Sequence, residues 1–336
     1  MIEVLIVGAG PAGAVTAMLL ARRGARVLLV DRARFPRDKL CGDTLNPGAM
    51  AILRELGVSD ALERVGLPLD GMIVTGATGV RVRGPYGRGQ RGLSLMRRAL
   101  DTHLIEQAVA AGVQFQDGVT VRSAMLEQTD DGSPFVRGAV LTTASGRAVR
   151  LPAGITIAAD GRRSTLAFAL GLARHPPRPR RWAIGAYFQN VEGLESYGEM
   201  HVRRGHYLGV APVPGGLTNA CVVTSDRAGF SDPARLLERT LGGDPLLRER
   251  FARASRVSEV SCLGPLAVDV TAHGVPGLLL AGDAAGFIDP MTGDGLRFAL
   301  RGAVMVAEVA SLCLEQSDVV GHRVLEAWRR SEFAAK

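Results

Sequence analysis

The chain opens on a short apolar run that stops at a glycine-rich turn. Val4–Val7 is followed by the sequence GAGPAG over residues 8–13, then by an alanine- and leucine-rich stretch, and then by a second apolar run at Val27–Val30. A strand-length apolar run, a tight turn and a helix-period pattern predict a β-strand, a turn and an α-helix. The second run is expected to pair parallel to the first, which completes a βαβ unit.

The rest of the hydrophobic pattern divides into helix-period, buried-strand and alternating segments. It predicts helices at 47–56, 97–111, 296–314 and near 319–333, and buried strands at 113–116, 155–159 and 278–281. Loose alternation predicts antiparallel strands at 71–95 and 182–224, then two short helices and a last strand at 257–266. Turn residues at Asp130–Gly132 and Ser145–Gly146 separate further strands between 119 and 151.

Parallel βα segments therefore lie at both ends and in the middle of the chain, with antiparallel strands between them. This order predicts an α/β fold with an α+β insertion. We expect a discontinuous Rossmann-like domain at 1–70, 96–173 and 267–336, and an inserted, mostly antiparallel sheet domain at 71–95 and 174–266.

Composition narrows the classes of protein. With 336 residues, 47% of them hydrophobic, the chain can bury a large core, and it has no uninterrupted apolar window long enough to predict a transmembrane segment. Glu3 within the first strand argues against a signal peptide. Four widely spaced cysteines and six histidines without metal-ligand spacing predict no disulfide framework and no metal site, and they favour a cytoplasmic location.

The net charge of +7 is spread along the chain, and only 5% of the residues are aromatic. Without a clustered basic helix, this composition disfavours nucleic-acid binding and is compatible with an anionic cofactor or substrate.

The glycine-rich turn has the spacing of a dinucleotide-binding motif. Gly8 allows the sharp turn, Gly10 lets a pyrophosphate approach the backbone, and Gly13 lets the helix pack close to the strand. The helix N-terminus offers free N–H groups to the phosphates. Asp31, at the end of the second strand, is positioned to accept hydrogen bonds from ribose hydroxyls and would repel a 2′-phosphate.

A second glycine-rich segment follows the late buried strand. Asp283, at the strand end, can accept hydrogen bonds from a polyol, while Gly293 and Gly295 leave room for a flat ring. The helix that begins at Leu296 directs its positive end toward that ring, which favours a negatively charged reduced flavin by ~0.3–1 kcal/mol. A glycine-rich loop with a surface aspartate is the structural alternative.

Taken in order, these motifs resemble the FAD-dependent oxidoreductases of the hydroxylase-fold group. They are the GxGxxG turn with Asp31, the Asp160-Gly161 pair followed by Arg162, Arg163 and Ser164, and the Gly282-Asp283 pair. Within that group, PRDKLCG at 36–42 and DPMTGDGL at 289–296 are most similar to the geranylgeranyl reductase family. The resemblance implies a para-hydroxybenzoate hydroxylase-like fold, FAD as cofactor, and a substrate site in the inserted sheet.

The resemblance also implies site residues. Asp31 would bind the adenosine ribose, Arg97 and Asp283 the pyrophosphate and ribityl chain, and Pro290–Gly295 the isoalloxazine ring. For Asp160, structural and cofactor-related roles are equally compatible. The implied cofactor-binding set is Gly8, Gly10, Ala12, Gly13, Asp31, Arg32, Cys41, Gly42, Arg97, Asp160, Gly282, Asp283, Pro290, Gly293, Gly295 and Leu296.

The substrate side departs from the reductase pattern. That family carries a Tyr-x-Trp-x-Phe-Pro stretch, and the matching residues are Tyr207, Gly209, Ala211 and Pro212, so that two large rings are lost. We expect Tyr207, Gly209 and Pro212 to contact substrate in a cavity of different shape. The halogenase Trp-x-Trp-x-Ile-Pro signature is absent from the sequence.

Cys41 and Asp43 are candidate catalytic residues in the loop expected to approach the flavin. The Cys41 thiol is either a substrate or redox contact or a small packed residue. Asp43 is a candidate acid/base group.

The resemblance predicts a reductase or dehydrogenase that transfers a hydride at flavin N5 to or from a hydrophobic or secondary-metabolite molecule. The alternative is a single-component monooxygenase that hydroxylates an aromatic or polyketide-like substrate through a C4a-hydroperoxyflavin. A third hypothesis is a sensor protein that binds flavin but does not catalyse turnover of a substrate. No second GxGxxG follows a buried apolar strand, so NAD(P)H would bind transiently or a redox partner protein would supply electrons.

Overall fold

The computed structural model of the chain describes residues 2–87, 89–128, 134–178, 180–316 and 320–333. The predicted turn at Asp130–Gly132 lies outside these residues, as does position 319, the predicted start of the terminal helix.

The α-helices of the described residues range from one turn to almost six. They are α1 (Pro11–Arg22), α2 (Pro47–Glu55), α3 (Asp60–Val65), α4 (Arg97–Ala110), α5 (Thr165–Ala169), α6 (Pro233–Gly243), α7 (Gly295–Glu315) and α8 (Gly321–Phe333). Short 3₁₀ turns occur at Ala228–Ser231, Gly282–Ala285 and Pro290–Thr292.

The strands of the described residues follow in chain order. They are β1 (Val4–Val7), β2 (Val27–Val30), β3 (Thr44–Leu45), β4 (Leu67–Leu69), β5 (Gly71–Thr75), β6 (Arg81–Pro85), β7 (Gly92–Ser94), β8 (Gln114–Gln116), β9 (Thr120–Gln128), β10 (Pro134–Thr142), β11 (Ala148–Pro152), β12 (Ile155–Ala158), β13 (Ala173–Arg174), β14 (Trp182–Gln189), β15 (Tyr197–Arg203), β16 (His206–Val213), β17 (Leu217–Thr224), β18 (Ser255–Arg256), β19 (Ser261–Leu263), β20 (Asp269–Val270), β21 (Gly274–Val275) and β22 (Leu278–Leu280).

A six-stranded sheet in the order β21-β22-β12-β1-β2-β8 forms the core of the first half of the fold. Strands β22, β12, β1, β2 and β8 are parallel, as the buried apolar runs predict. Val4 and Ile6 of β1 face a core formed with helices α1, α4 and α7, whereas Leu5 and Val7 face a second core beneath β9–β11. Because both faces are covered, every residue of β1 and β2 is buried.

The second large sheet is mostly antiparallel, in the order β18-β14-β17-β16-β15-β5-β6, with β19 also paired to β14. One of its faces packs against α6 through Ile184, Leu208 and Leu237, all fully buried. Its other face turns toward the parallel sheet. The strands of the small sheet β3-β7-β4 lie on either side of β5 and β6 in the sequence.

This arrangement confirms the predicted α/β class with an inserted, mostly antiparallel sheet. Strands from both segments expected to form the insertion, 71–95 and 174–266, pair in the same sheet. The residue boundaries of the two domains stay a prediction.

Three details of the predicted secondary structure are wrong. Strand β5 pairs in parallel with β15 rather than only antiparallel. The predicted strand at 257–266 is shortened to the three residues of β19, and Gly264 then bends the chain at a φ of 154°. Of the two short helices expected after β17, one is α6 and the other is a single 3₁₀ turn.

Strand β6 forms one edge of the antiparallel sheet, and all five of its residues are exposed. Arg81 and Arg83 form ion pairs with the carboxylate of Glu195, at 3.0 and 2.9 Å. Val82, between them, is 57% exposed.

Across the described residues, no helix combines the length and hydropathy needed to cross a bilayer.

Candidate active site

A cavity lies between the carboxyl ends of the parallel strands and the facing side of the antiparallel sheet. Predicted site residues from five separate parts of the chain line it: Gly10, Ala12, Cys41, Gly42, Arg97, Tyr207, Gly209, Gly282, Asp283, Pro290, Gly293, Gly295 and Leu296. Gly8, Gly13, Asp31, Arg32, Asp43, Asp160 and Pro212 are not among the lining residues. The chemical roles of all these residues stay predictions, and the contacts below show what each position allows.

The three glycines of the first turn meet different surroundings. A Cβ on Gly8, whose φ is +99°, would stand 2.5 Å from the Ala159 carbonyl oxygen, and one on Gly13 would stand 1.8 Å from the Gly8 carbonyl oxygen. A Cβ on Gly10 would meet nothing closer than the guanidinium groups of Arg37 and Arg97, at 3.8 and 3.9 Å. Gly8 and Gly13 therefore permit the backbone packing, whereas Gly10 borders open space between two cations.

Asp31 holds the turn in place from the end of β2. Its carboxylate accepts hydrogen bonds from the backbone N–H groups of Ala9 (2.7 Å) and Ala33 (2.8 Å). The same carboxylate retains further acceptor positions, which is what hydrogen bonding to a ribose hydroxyl requires.

Positive charge gathers around the space beside Gly10. Lys39, Arg97 and Arg162 line the cavity, and Arg37 lies next to them. The buried carboxylate of Asp101 receives two hydrogen bonds of 2.8 Å from Arg97 and an ion pair of 3.0 Å from Arg37. Burial alone would lower the pKa of Arg97, but the Asp101 carboxylate raises it overall.

These cations fit an anionic cofactor such as the diphosphate of FAD. The Nη1 atom of Arg37 is buried and has no hydrogen-bond partner among the described residues. Burial, followed by the charge of Arg97, lowers the pKa of Lys39 to about 8. A diphosphate would supply both the missing acceptor and the missing negative charge. We infer that Arg37, Lys39 and Arg162 belong to the cofactor site together with Arg97.

The second glycine-rich segment closes the cavity from the other side. Gly282 has a φ of +60°, and Asp283 lies 4.0 Å from the guanidinium Nε of Arg162. Gly293 ends the 3₁₀ turn Pro290–Thr292 in a left-handed conformation, φ +68°. Helix α7 then begins at Gly295, one residue earlier than predicted, so its N-terminus borders the cavity.

This segment is tied to the antiparallel sheet through Asp289. The Tyr207 hydroxyl donates to Asp289 Oδ1 (2.6 Å), and Arg181 donates to Asp289 Oδ2 (2.8 Å). Burial and the neighbouring carboxylate raise the pKa of Tyr207, which keeps its phenol protonated. Tyr207 thus joins the wall of the cavity to the loop expected to lie along the flavin.

The remaining wall of the cavity is mostly apolar, with Thr44 and Glu199 among its few polar members. Gly209 and Ala211 stand where the reductase family has large rings, and a Cβ on Gly209 would meet nothing within 4 Å. Other apolar lining residues are Met72, Ala183, Met200, Val223, Leu263, Leu266 and Phe287. Pro212 lies on the same strand, where its carbonyl accepts from Ser94 Oγ.

The two candidate catalytic residues differ in their placement. Cys41 lines the cavity, and burial raises the pKa of its thiol although Arg97 opposes the shift. A protonated thiol is a poor nucleophile, so this position favours packing or hydrogen bonding over thiolate chemistry. Asp43 is 1% exposed and behind the wall, where its carboxylate accepts from Tyr187, Asn219 and the Arg97 backbone.

Asp160 also lies behind the wall. Its Oδ2 accepts from the Thr165 backbone N–H (2.8 Å), while its Oδ1 is buried without a hydrogen-bond partner among the described residues. Burial raises the pKa of this carboxyl group. The contact with the first turn of α5 favours the structural reading of Asp160.

Sequence reasoning missed several residues of this site. Arg37 and Lys39 lie in a polar loop that is too long for a simple connection. Its length therefore indicated a functional loop, although it did not identify these two residues. Tyr187, Asn219 and Cys221 lie on strands β14 and β17 and reach the loop only through tertiary contacts. Their alternating pattern predicts one face of a sheet, but it does not indicate which segment of the chain that face contacts.

Comparison with known proteins identifies the family to which this chain belongs. The sequence profile of the family described as "FAD binding domain" matches residues 1–225. Menaquinone reductase of Mycolicibacterium smegmatis is 30% identical over 91% of this chain and 76% of its own length. Digeranylgeranylglycerophospholipid reductase 1 of Methanothermobacter thermautotrophicus is 27% identical over 97% of this chain and 81% of its own length.

Among solved structures, the myxobacterial chondrochloren halogenase CndH has a TM-score of 0.89 at 23% identity, covering 98% of this chain and 78% of that one. At this identity the likeness concerns the fold alone. The chain spans 63% of the length of a further relative, a Dictyostelium discoideum protein that is 28% identical.

Replacing Gly10 and Gly13 by alanine should separate cofactor binding from folding. Gly13→Ala forces a Cβ into the Gly8 carbonyl, so we expect the cofactor-free protein to lose roughly 1–3 kcal/mol of unfolding free energy. Gly10 has an extended backbone, φ −74°, that alanine adopts freely, so Gly10→Ala should leave that free energy unchanged. It should instead weaken FAD binding by roughly 5- to 100-fold, because the methyl group occupies the phosphate space.

Urea unfolding without FAD and fluorescence titration with FAD measure the two quantities. Equal losses of affinity in both variants, without a loss of stability in Gly13→Ala, would contradict the assignment of the glycines.

Asp43 should give folding a measurable pH dependence. Burial raises its pKa from 3.8 to about 6, against the hydrogen bonds of Tyr187 and Asn219. Because the folded state then holds the proton more tightly, the contribution to stability is complete below 3.8 and is lost as the pH rises through about 6. Relative to Asp43→Asn, the wild-type protein should lose at most about 3 kcal/mol over this range.

The measurement is urea unfolding of both proteins, without cofactor, at several values between about pH 4 and about pH 7. Parallel stability curves would show that Asp43 titrates alike in the folded and unfolded chains.

Proposed function

The chain belongs to the FAD binding domain family and is an FAD-dependent oxidoreductase, and from this we propose that it reduces or dehydrogenates a hydrophobic small molecule. The observation that carries the proposal is the apolar wall that faces the flavin-binding segments across one cavity. Such a wall favours a substrate without charges near the reacting bond.

When bound, FAD supplies hydride transfer at N5, and the protein supplies position and electrostatics. Arg37, Lys39, Arg97 and Arg162 would hold the diphosphate, and Gly293 and Gly295 would leave room for the ring. The N-terminus of α7 would favour negative charge on that ring. Tyr207, held by Asp289, would fix the distance between the substrate wall and the ring.

The names of two relatives support reduction as the direction of the reaction. One is a menaquinone reductase and the other a digeranylgeranylglycerophospholipid reductase. We extend to this chain only the shared chemistry, the reduction of an apolar molecule with conjugated or isolated double bonds. For electrons we propose NAD(P)H bound transiently, or a partner reductase, since only the GxGxxG at 8–13 lies between a buried strand and a helix.

Anaerobic half-reactions test the proposal. Holoprotein reduced with dithionite under nitrogen should regain its visible flavin absorbance when menaquinone or a geranylgeranyl lipid is added, and the product should gain two hydrogens by mass spectrometry. Bleaching of the oxidised holoprotein by NADH or NADPH, also under nitrogen, tests the electron donor separately.

Reoxidation that requires air, with labelled oxygen incorporated into the product, would replace the proposal by the monooxygenase alternative. Slow reduction by every donor, unaffected by any substrate, would favour a protein that binds flavin without turnover.

The cavity should accept a large ring at position 209. Because a Cβ there meets nothing within 4 Å, Gly209→Trp should leave the unfolding free energy within about 0.5 kcal/mol of wild type. The ring would fill substrate space, so turnover of the bulkiest accepted substrate should fall by at least about tenfold while FAD affinity is unchanged.

Gly185→Ala is the matched control on the neighbouring wall, because its Cβ would stand 2.6 Å from Leu40 Cδ1 and 2.7 Å from Cys221 Sγ. This variant should lose stability. A Gly209→Trp protein that binds FAD, is stable and turns over all substrates normally would place the substrate elsewhere.

A further inference from the structure

The carboxylate of Asp43 joins three parts of the molecule that the sequence keeps far apart. Asp43 has a left-handed backbone, φ +54°, which aspartate adopts more readily than most residues other than glycine. Its side chain is buried, and three donors converge on it.

Two of those donors come from the antiparallel sheet. The Tyr187 hydroxyl of β14 donates to Asp43 Oδ2 (2.7 Å), and the Asn219 side-chain amide of β17 donates to the same oxygen. Burial, and then the Asp43 carboxylate, raise the pKa of Tyr187, so its phenol remains a donor.

Asn219 uses its amide for more than Asp43. Its Nδ2 also donates to the Cys41 carbonyl (2.8 Å), and its Oδ1 accepts from Cys221 Sγ (2.9 Å). The buried Asn219 side chain therefore donates hydrogen bonds to the loop at Cys41 and at Asp43, on either side of Gly42.

The third donor comes from the cofactor half of the fold. The Arg97 backbone N–H, at the start of α4, donates to Asp43 Oδ1 (3.2 Å). The Arg97 side chain borders the space beside Gly10, while Cys41 and Gly42 line the cavity itself. Any shift of Asp43 would therefore move the cavity wall relative to Arg97.

We propose that Asn219 and Tyr187 are positioning residues that, through Asp43, hold the Cys41–Gly42 segment in the cavity wall beside the cofactor. The inference rests on the cofactor cavity of the proposed function and is independent of which molecule the enzyme reduces. Neither residue need touch the reacting atoms.

The charged and titratable groups that face Asp43 are Arg97 from α4, Tyr187 from β14, Cys221 from β17 and Cys41 from its own loop. Arg97 stays charged, and burial raises the pKa of both thiols and of the phenol. Asp43 is therefore the group of this cluster that changes charge near pH 6. Its protonation would turn one of the accepting oxygens into a hydroxyl and so rearrange the hydrogen bonds that Asn219 and Tyr187 donate.

Asn219→Ala tests the proposal in the holoprotein. Loss of the amide leaves two acceptors, Asp43 and the Cys41 carbonyl, without this donor, so the loop should open more often. Labelling of Cys41 by N-ethylmaleimide, followed by peptide mass spectrometry, should accelerate at least about fivefold. The visible spectrum of bound flavin should shift, and kcat should fall more than the affinity for substrate. Tyr187→Phe, which removes one donor, should give the same changes to a smaller extent.

Thr218→Val is the matched control. Thr218 precedes Asn219 on β17, is 1% exposed, and its hydroxyl has no hydrogen-bond partner among the described residues. The substitution keeps the shape of the side chain, so labelling, spectrum and turnover should equal those of wild type.

Asn219→Asp gives a sharper signature, because it should move the pH dependence of the flavin spectrum. In wild type the flavin spectrum should change as the pH falls below about 6, when Asp43 takes up a proton. In Asn219→Asp two carboxylates face each other at neutral pH and repel, so the pair binds its first proton at a higher pH than Asp43 does in wild type. The spectral change of this variant should therefore occur at a higher pH than that of wild type.

Unchanged Cys41 labelling and flavin spectrum in Asn219→Ala, or the same pH response in Asn219→Asp as in wild type, would overturn the proposal. These readouts need only bound flavin. If the enzyme fails to reduce any apolar substrate while the labelling and pH results hold, the proposed reaction fails and the positioning role stands.

Discussion

Excess positive charge at the junction of the chain's separate segments is the constraint on which the rest of this structure depends. Arg37 and Arg97 share the single buried carboxylate of Asp101, and Lys39 and Arg162 lie in the same cleft. Cations that face one another away from water raise the free energy of the folded chain unless an anion lies between them. The depressed pKa of Lys39 is one expression of that imbalance, and the Arg37 Nη1 atom, which has no hydrogen-bond partner within the described parts of the chain, is another. A diphosphate-bearing cofactor at this cleft would therefore stabilise the folded chain, and its removal should lower the free energy of unfolding by mass action.

The cleft forms where the parallel sheet and the antiparallel sheet meet. The parallel sheet delivers the ends of β1, β2, β12 and β22, with their glycines and acids, to one edge. The antiparallel sheet presents an apolar face opposite. Two carboxylates bridge them: Asp43 receives Tyr187 and Asn219, and Asp289 receives Tyr207 and Arg181. Each bridge connects the substrate wall to a loop beside the cofactor, so the geometry of the cavity is fixed by buried hydrogen bonds and by packing together.

The features that sequence reasoning predicted are those whose causes are local. The βαβ unit follows from apolar runs around Gly8–Gly13, and the late helix follows from its long apolar pattern after Gly295. The errors arise where the structure of a segment depends on a partner that is distant in the sequence. Strand β5 is parallel to β15 because the chain returns to the sheet much later, and the segment at 257–266 is interrupted at Gly264. In the same way Cys41 could be identified from its motif. Asn219 could not, because only folding brings β17 to the loop.

The edge strand β6 has a consequence for how the protein behaves at high concentration. An unpaired strand presents free N–H and C=O groups to which another molecule's strand can add. Here that edge carries Arg81 and Arg83, and it ends at Pro85, which lacks a backbone donor. Two molecules that approach edge to edge would bring arginines together, and the proline would interrupt the ladder of hydrogen bonds. Both features disfavour the addition of another molecule's strand beside the exposed Val82.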